Sequence, residues 1–226
     1  VPKAGSYIDL LRPSGGGVAM LVDGGERVRI HGAFPPAGTL HTTGVIKGIY
    51  DMRRFASMHL ETETRDASGA LLATALSTLL FRGQGGFSGE PPPKDEGGPS
   101  VPKDRPADFR IEEATTPEQA LLYRLSGDEN PLHADPEFAA KVGFERGPIL
   151  HGLCTFGFMV RHVARGVCGG DARRLRGFEA NFRRPVCPGD TLVTEGWVVE
   201  PGKVALSVKV KEREESVLAG AWASFD

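Results

Sequence analysis

Between Lys203 and Lys211, Val204, Leu206, Val208 and Val210 alternate with lysines, Ala205 and Ser207, the period-2 pattern of a strand with one face buried. The segments flanking that strand occur twice along the chain. Pro36–Ile46 set over Pro188–Val198 gives five identical positions of eleven, and after a slip of a few residues Leu71–Ser77 lies over Val217–Ala223. Such self-similarity marks a repeated unit. Each half is therefore expected to end in a meander of about three strands, and a Gly- and Pro-rich stretch over 83–106 separates them as a linker. Three spans result: 1–82, 83–106 and 107–226.

The halves are unequal, with 35 residues before Pro36 and about 80 between the linker and Pro188. Helical signals fill the longer stretch. Thr116, Pro117 and Gln119 form an N-cap, a first helical position and a capping-box partner ahead of the apolar run through Leu125, with Gly127 as the stop. Asp135-Pro136 opens a second short helix that Gly143 ends. The third begins at His151-Gly152 and is almost wholly apolar until Arg161, His162 and Arg165 gather at its end, as suits a buried helix with cations at its dipole-negative terminus. A long apolar helix followed by an antiparallel meander, made twice, predicts an α+β fold with sheet wrapped around helix, the first copy being shorter.

Composition narrows the classes of function. With 40% hydrophobic and 25% charged residues and a net charge of -2, the chain is expected to be globular, with no positive field for nucleic acid. No apolar run approaches the ~18 residues of a membrane span. Cys154, Cys168 and Cys187 form no C-x-x-C pair, which argues against a disulfide framework or structural zinc and fits a reducing, intracellular compartment. The sequence as given opens on no basic-apolar leader and closes on Ala223-Ser224-Phe225-Asp226 rather than a Ser-Lys-Leu-type address.

The candidate chemistry lies between the first helix and the buried one, in Tyr123-Arg124-Leu125-Ser126-Gly127-Asp128-Glu129-Asn130-Pro131-Leu132-His133-Ala134-Asp135-Pro136. Pro131 and Pro136 break helix continuity and leave Asp128, Asn130 and His133 on an irregular segment open to ligands. A carboxylate and an imidazole five residues apart across a turn can converge on one water, and Asn130 can hold that turn by side-chain to backbone bonds. Gly152 falls in the first turn of the buried helix, where N–H groups lack intrahelical partners and negative charge is favoured. His151 is expected to hold the helix entrance by hydrogen bonds, while His31, His41, His59 and His162 read as ordinary strand or helix-surface residues. Asp128, Glu129, His133 and Asp135 follow no EF-hand or zinc spacing, so no metal is expected. Ser126 lacks a Gly-x-Ser-x-Gly elbow. Arg173, Arg174, Arg176, Arg183 and Arg184 are the one basic concentration, suited equally to phosphates and to a solvated strand edge.

The segment from Tyr123 to Pro136, followed by Pro148-Ile149-Leu150-His151-Gly152-Leu153-Cys154-Thr155-Phe156-Gly157, resembles the hydratase 2 motif of the MaoC-like (R)-specific enoyl-CoA hydratases. The likeness is greatest to the double hot-dog type found as the hydratase unit of peroxisomal multifunctional enzyme type 2, and it runs from about Arg27 to Phe225, with Gly147 as an extra residue before Pro148. The resemblance implies a double hot-dog fold whose first copy is degenerate or truncated. It implies reversible hydration of a trans-2-enoyl-CoA to the (R)-3-hydroxyacyl-CoA, with Asp128 and His133 as the catalytic pair, Asn130 in support and Gly152 giving an N–H to the thioester carbonyl. No metal or separate cofactor would be needed, because CoA arrives with the acyl substrate. A homodimer and a peroxisomal (in a eukaryote) or cytoplasmic location would follow. A hot-dog thioesterase and a non-catalytic acyl-CoA binding module are the alternatives.

Overall fold

The structure, a computed structural model, describes residues 21–94 and 97–226; residues 1–20 of the first span lie outside them. Strands β1 (Leu21–Ile30), β2 (His41–Asp51), β3 (Phe55–Arg65) and β4 (Leu71–Arg82) form the first half. The second contains β5 (Phe109–Ala114), α1 (Gln119–Arg124), a 3-10 turn over Pro131–His133, α2 (Pro136–Lys141), α3 (Gly152–Val167), β6 (Leu175–Phe182), β7 (Thr191–Glu200), β8 (Lys203–Val210) and β9 (Glu215–Phe225).

The nine strands of the described residues form one sheet in the order β2-β3-β4-β1-β6-β9-β8-β7-β5. The internal repeat is visible as topology, because β2-β3-β4-β1 and β7-β8-β9-β6 are the same arrangement, joined where β1 and β6 pair antiparallel. Across this seam Arg27 grips Glu179 with two hydrogen bonds of 2.6 and 2.9 Å.

The main core is the concave side of the second half. Met159 and Val163 of α3 pack with Leu192, Val204, Val208 and Val210, all with no measurable exposure. Phe109 of β5 sits between two glycines: a Cβ on Gly166 of α3 would stand 2.6 Å from its ring, and one on Gly196 of β7 would overlap it. Among the described residues the first half has no counterpart of β5 or α3. Its outer strand accordingly leaves apolar side chains bare: Val45 is 61% exposed, whereas Trp197 at the same place in the repeat is 7% exposed.

The described residues of the linker form no helix or strand, as expected, and are held in place: the Asp51 carboxylate accepts the N–H groups of Gly86 and Ser88 at 2.8 Å, and Gly98 lies so close over Trp222 that any side chain would enter the indole ring. Two local expectations change. The first helix starts later than the capping-box pattern implied, with Glu118 at the N-cap and no side-chain cap; Thr116 instead offers its carbonyl to the Gln119 N–H at 3.0 Å. His162 is not a surface residue. It is fully buried, bonded to Thr194 Oγ1 at 2.8 Å and Glu113 Oε2 at 3.0 Å, because a polar ring inside a core must be partnered.

Candidate active site

The second short helix forms as its sequence predicts: Pro136 is its first residue and the Asp135 carboxylate accepts the N–H of Glu137 at 2.9 Å and of Phe138 at 3.1 Å. Ahead of it, the Asn130 side-chain oxygen accepts the Leu132 N–H at 3.1 Å, capping the 3-10 turn, and Asp128 Oδ1 accepts the Asn130 N–H at 3.2 Å. Two Asx-type contacts thus fix the bend that carries His133. Gly147, the extra residue, takes a left-handed φ of 100° and closes a turn by donating to Phe144 O at 3.0 Å. The insertion is absorbed there, before Pro148.

His133 Nδ1–H donates to the Ile149 carbonyl at 2.8 Å. A carbonyl can only accept, so Nε2 keeps the lone pair. Burial lowers the His133 pKa, against the Ile149 bond and the Asp128 charge, and keeps the ring neutral. His151 stacks on it, centroids 3.7 Å apart and planes 24° from parallel. Burial first, and His133 second, pull His151 down to about 4. Its Nε2–H donates to the Asp128 backbone carbonyl at 3.2 Å while its Nδ1 is buried without a partner among the described residues. The Tyr123 ring stands 4.7 Å on the other side of His151.

Asp128, His133 and His151 offer ligand atoms within 4.8 Å of one another, a set in which Glu129 and Asp135 take no part.

Asp128 and His133 open on a cavity of about 430 Å³ that Asn130 and Gly152 also line, together with residues of β1, β3 and β4 from the first half. Gly152 is the first residue of α3, so its N–H has no partner within the helix. A Cβ there would stand 2.9 Å from Asp23 Oδ2 and 3.2 Å from the Phe182 ring. The structure thus gathers all four residues singled out from the sequence at one cavity. Of the arginines, Arg183 and Arg184 line it, while Arg173 pairs with Asp171 and Arg176 with Asp226.

Sequence reasoning missed two residues, both from β1. Asp23 and Glu26 line the same cavity. Burial first, then the charge of Asp128, raises the Asp23 pKa to about 6. Burial raises Glu26 to about 8, with the Ser77 hydroxyl opposing and Asp23 adding. In a regular strand residues three apart face opposite ways. Here the register slips between Asp23 and Gly25, and one inserted residue brings both carboxyls to the same side. The Gly24-Gly25 pair was the available signal.

A repeat-built sheet around a buried helix, with a polar cluster at that helix's entrance, defines a double hot-dog protein. Residues 100–220 match the family described as "MaoC like domain". The chain belongs to that MaoC-like family. It is 41% identical over 211 residues to a protein named peroxisomal enoyl-CoA hydratase 2 from Arabidopsis thaliana, covering 89% of this chain and 67% of that one. Among solved structures it resembles a MaoC-like dehydratase from Phytophthora capsici (TM-score 0.84, 36% identity, 93% of this chain and 70% of that one). It also resembles the full-length peroxisomal multifunctional enzyme type 2 of Drosophila melanogaster (TM-score 0.81, 31% identity, 98% of this chain and 40% of that one). Among the described residues no helix is long and apolar enough to cross a membrane.

Proposed function

We propose that the protein catalyses the reversible hydration of a trans-2-enoyl-CoA to the (R)-3-hydroxyacyl-CoA. The observation that carries this is the fixed tautomer of His133: a neutral ring whose Nδ1–H is held by Ile149 O at 2.8 Å presents a basic Nε2 into a cavity shared with the Asp128 carboxylate. A water between the two loses its proton to this pair while its oxygen adds to the β-carbon. The thioester carbonyl gains negative charge as the enolate develops. It lies against the Gly152 N–H at the positive end of α3, where such charge is stabilised. The enolate α-carbon then takes the proton from the same side, so that water adds across one face of the alkene. Asn130 keeps the bend in place.

The reaction is redox-neutral, so its balance needs no electron carrier, and CoA enters with the acyl group. Arg82, Arg183 and Arg184 on the cavity wall give its phosphates cationic partners. A role in fatty acyl breakdown inside the cell, in the peroxisome of a eukaryote, goes with this reading and is supported by the naming of the Arabidopsis relative.

The test is loss of enoyl thioester absorbance on mixing with a trans-2-enoyl-CoA, together with an assay for free thiol. Hydration without thiol is expected; thiol release would replace the reading by thioester hydrolysis. Asp128→Ala and His133→Ala should each lower kcat by about 10³-fold or more with KM nearly unchanged, since each removes a group that acts in the transition state. Variants that keep wild-type turnover would remove Asp128 and His133 from the chemistry, whereas acyl-CoA binding with no turnover by the wild type would leave only an acyl-CoA binding module.

A further inference from the structure

If the cavity holds the acyl chain of such a thioester, the wall that β1 and β4 present to it is unsuited to plain hydrocarbon. Leu60, Leu79, Leu80 and Phe182 are apolar, yet Glu26 and Ser77 lie among them on the same cavity. The two are direct register partners across the β1–β4 pair, which sets their side chains beside each other on one face. We propose that Glu26, with Ser77 beside it, is a specificity-determining hydrogen-bond donor, and that the acyl group this enzyme accepts carries an oxygen atom, as hydroxyl, oxo or ether, where it passes β1.

The chemistry follows from what a carboxyl does when water is scarce. Burial holds the Glu26 pKa at about 8, so near neutrality it is an acid with one O–H to give. Ser77 can serve one of its oxygens. Among the described residues no other side chain hydrogen-bonds it, and the charge that acts on it is Asp23, whose own carboxyl is raised by burial and by Asp128. A methylene chain laid along Glu26 would displace its water and leave the O–H no acceptor but Ser77 Oγ, whereas a chain with an oxygen at that point restores the bond and frees Ser77 to serve the other carboxyl oxygen. Sites built around a buried donor reject the analogue lacking the matching group by large factors, up to about 10⁴-fold, while an extra methylene changes affinity by only about 10–200-fold. The bulge that turns Asp23 and Glu26 to the same side is what places this donor in the cavity. Without the slip between Asp23 and Gly25, one of the two carboxyls would face out of the sheet.

The inference rests on the hydratase reading for the identity of the occupant, and its test is chosen to stand apart from turnover. Octanoyl-CoA and a series of analogues, each with one chain methylene replaced by an ether oxygen at successive positions, are titrated into the protein by calorimetry. Neither the probes nor the measurement needs hydration. The wild-type protein should bind one member of the ether series at least tenfold more tightly than octanoyl-CoA. Glu26→Leu should abolish or reverse that preference, and Glu26→Gln, which keeps a donor, should retain it; thermal melting reports that the variants fold. Equal or tighter binding of octanoyl-CoA by the wild type overturns the proposal, and so does a preference that survives Glu26→Leu. The preference without any hydration of enoyl thioesters would strike the proposed reaction alone, and hydration without the preference would strike this inference alone.

Discussion

Phe109 shows how closely single residues are matched. Its ring occupies the space that Cβ atoms on Gly166 and Gly196 would need. In an open helix Gly166→Ala would add about 1 kcal/mol of stability through helix propensity. Here the methyl meets a ring that Gly196 stops from retreating, and overpacking costs about 1–3 kcal/mol. The net effect expected is destabilisation by up to about 2 kcal/mol, measured by urea unfolding. In a Phe109→Ala background the same change should turn stabilising, and the sign reversal isolates the contact. At this scale the candidate site groups were legible in the sequence, since Asp128, Asn130 and His133 are placed by Asx contacts and two prolines within one short segment. Asp23 and Glu26 were not, because only the pairing of a distant strand with β6 brings them to this cavity. The burial of His162 escaped for a similar reason: its partners Thr194 and Glu113 come from β7 and β5.

Among elements, the strands announced themselves by alternation and by the repeat, and α2 and α3 by Asp135-Pro136 and His151-Gly152. The pairing of β1 with β6 left no such trace, since strand alternation says which face is buried and not which edge is joined. That pairing is fixed by side chains on its register. Glu179 is 5% exposed and faces Arg27, with which it is paired in the ladder, and Arg29 lies 3.8 Å away. Removing the carboxylate leaves two half-buried guanidinium groups short of a partner. Bonds of this charged type contribute about 1.5–3 kcal/mol, and with the arginines partly open to solvent Glu179→Ala is expected to cost about 1–2 kcal/mol. A fall in thermal midpoint of a few degrees, with the second-half core otherwise intact by near-ultraviolet circular dichroism, is the measurement. No change at all would mean that the seam is held by its backbone ladder alone.

Over the whole molecule, two sets of buried titratable groups pull stability in opposite directions with pH. His133, His151 and His162 all have lowered pKa values because burial disfavours the imidazolium. The unfolded chain therefore binds protons first, and stability is lost as pH falls from the ordinary imidazole value of 6.5 toward the value of about 4 for His151. Glu26 works the other way. Its pKa is raised from 4.5 to about 8, so the folded state holds a proton that the unfolded one has released, and stability drains as pH rises through that window. Glu26→Gln removes this second loss. The variant should melt close to wild type near pH 5 and several degrees higher near pH 8, followed by calorimetric scans across that range. A constant difference between the two proteins at every pH would mean that Glu26 is ionised in the folded state.

The seam between β1 and β6 also bears on how such an enzyme can diversify. The candidate site residues Asp128, His133 and Gly152 belong to one repeat, while another part of the cavity wall belongs to the other. Mutations in that other repeat can thus retune which molecules the cavity admits without touching these groups, so that chemistry and selectivity can be inherited separately.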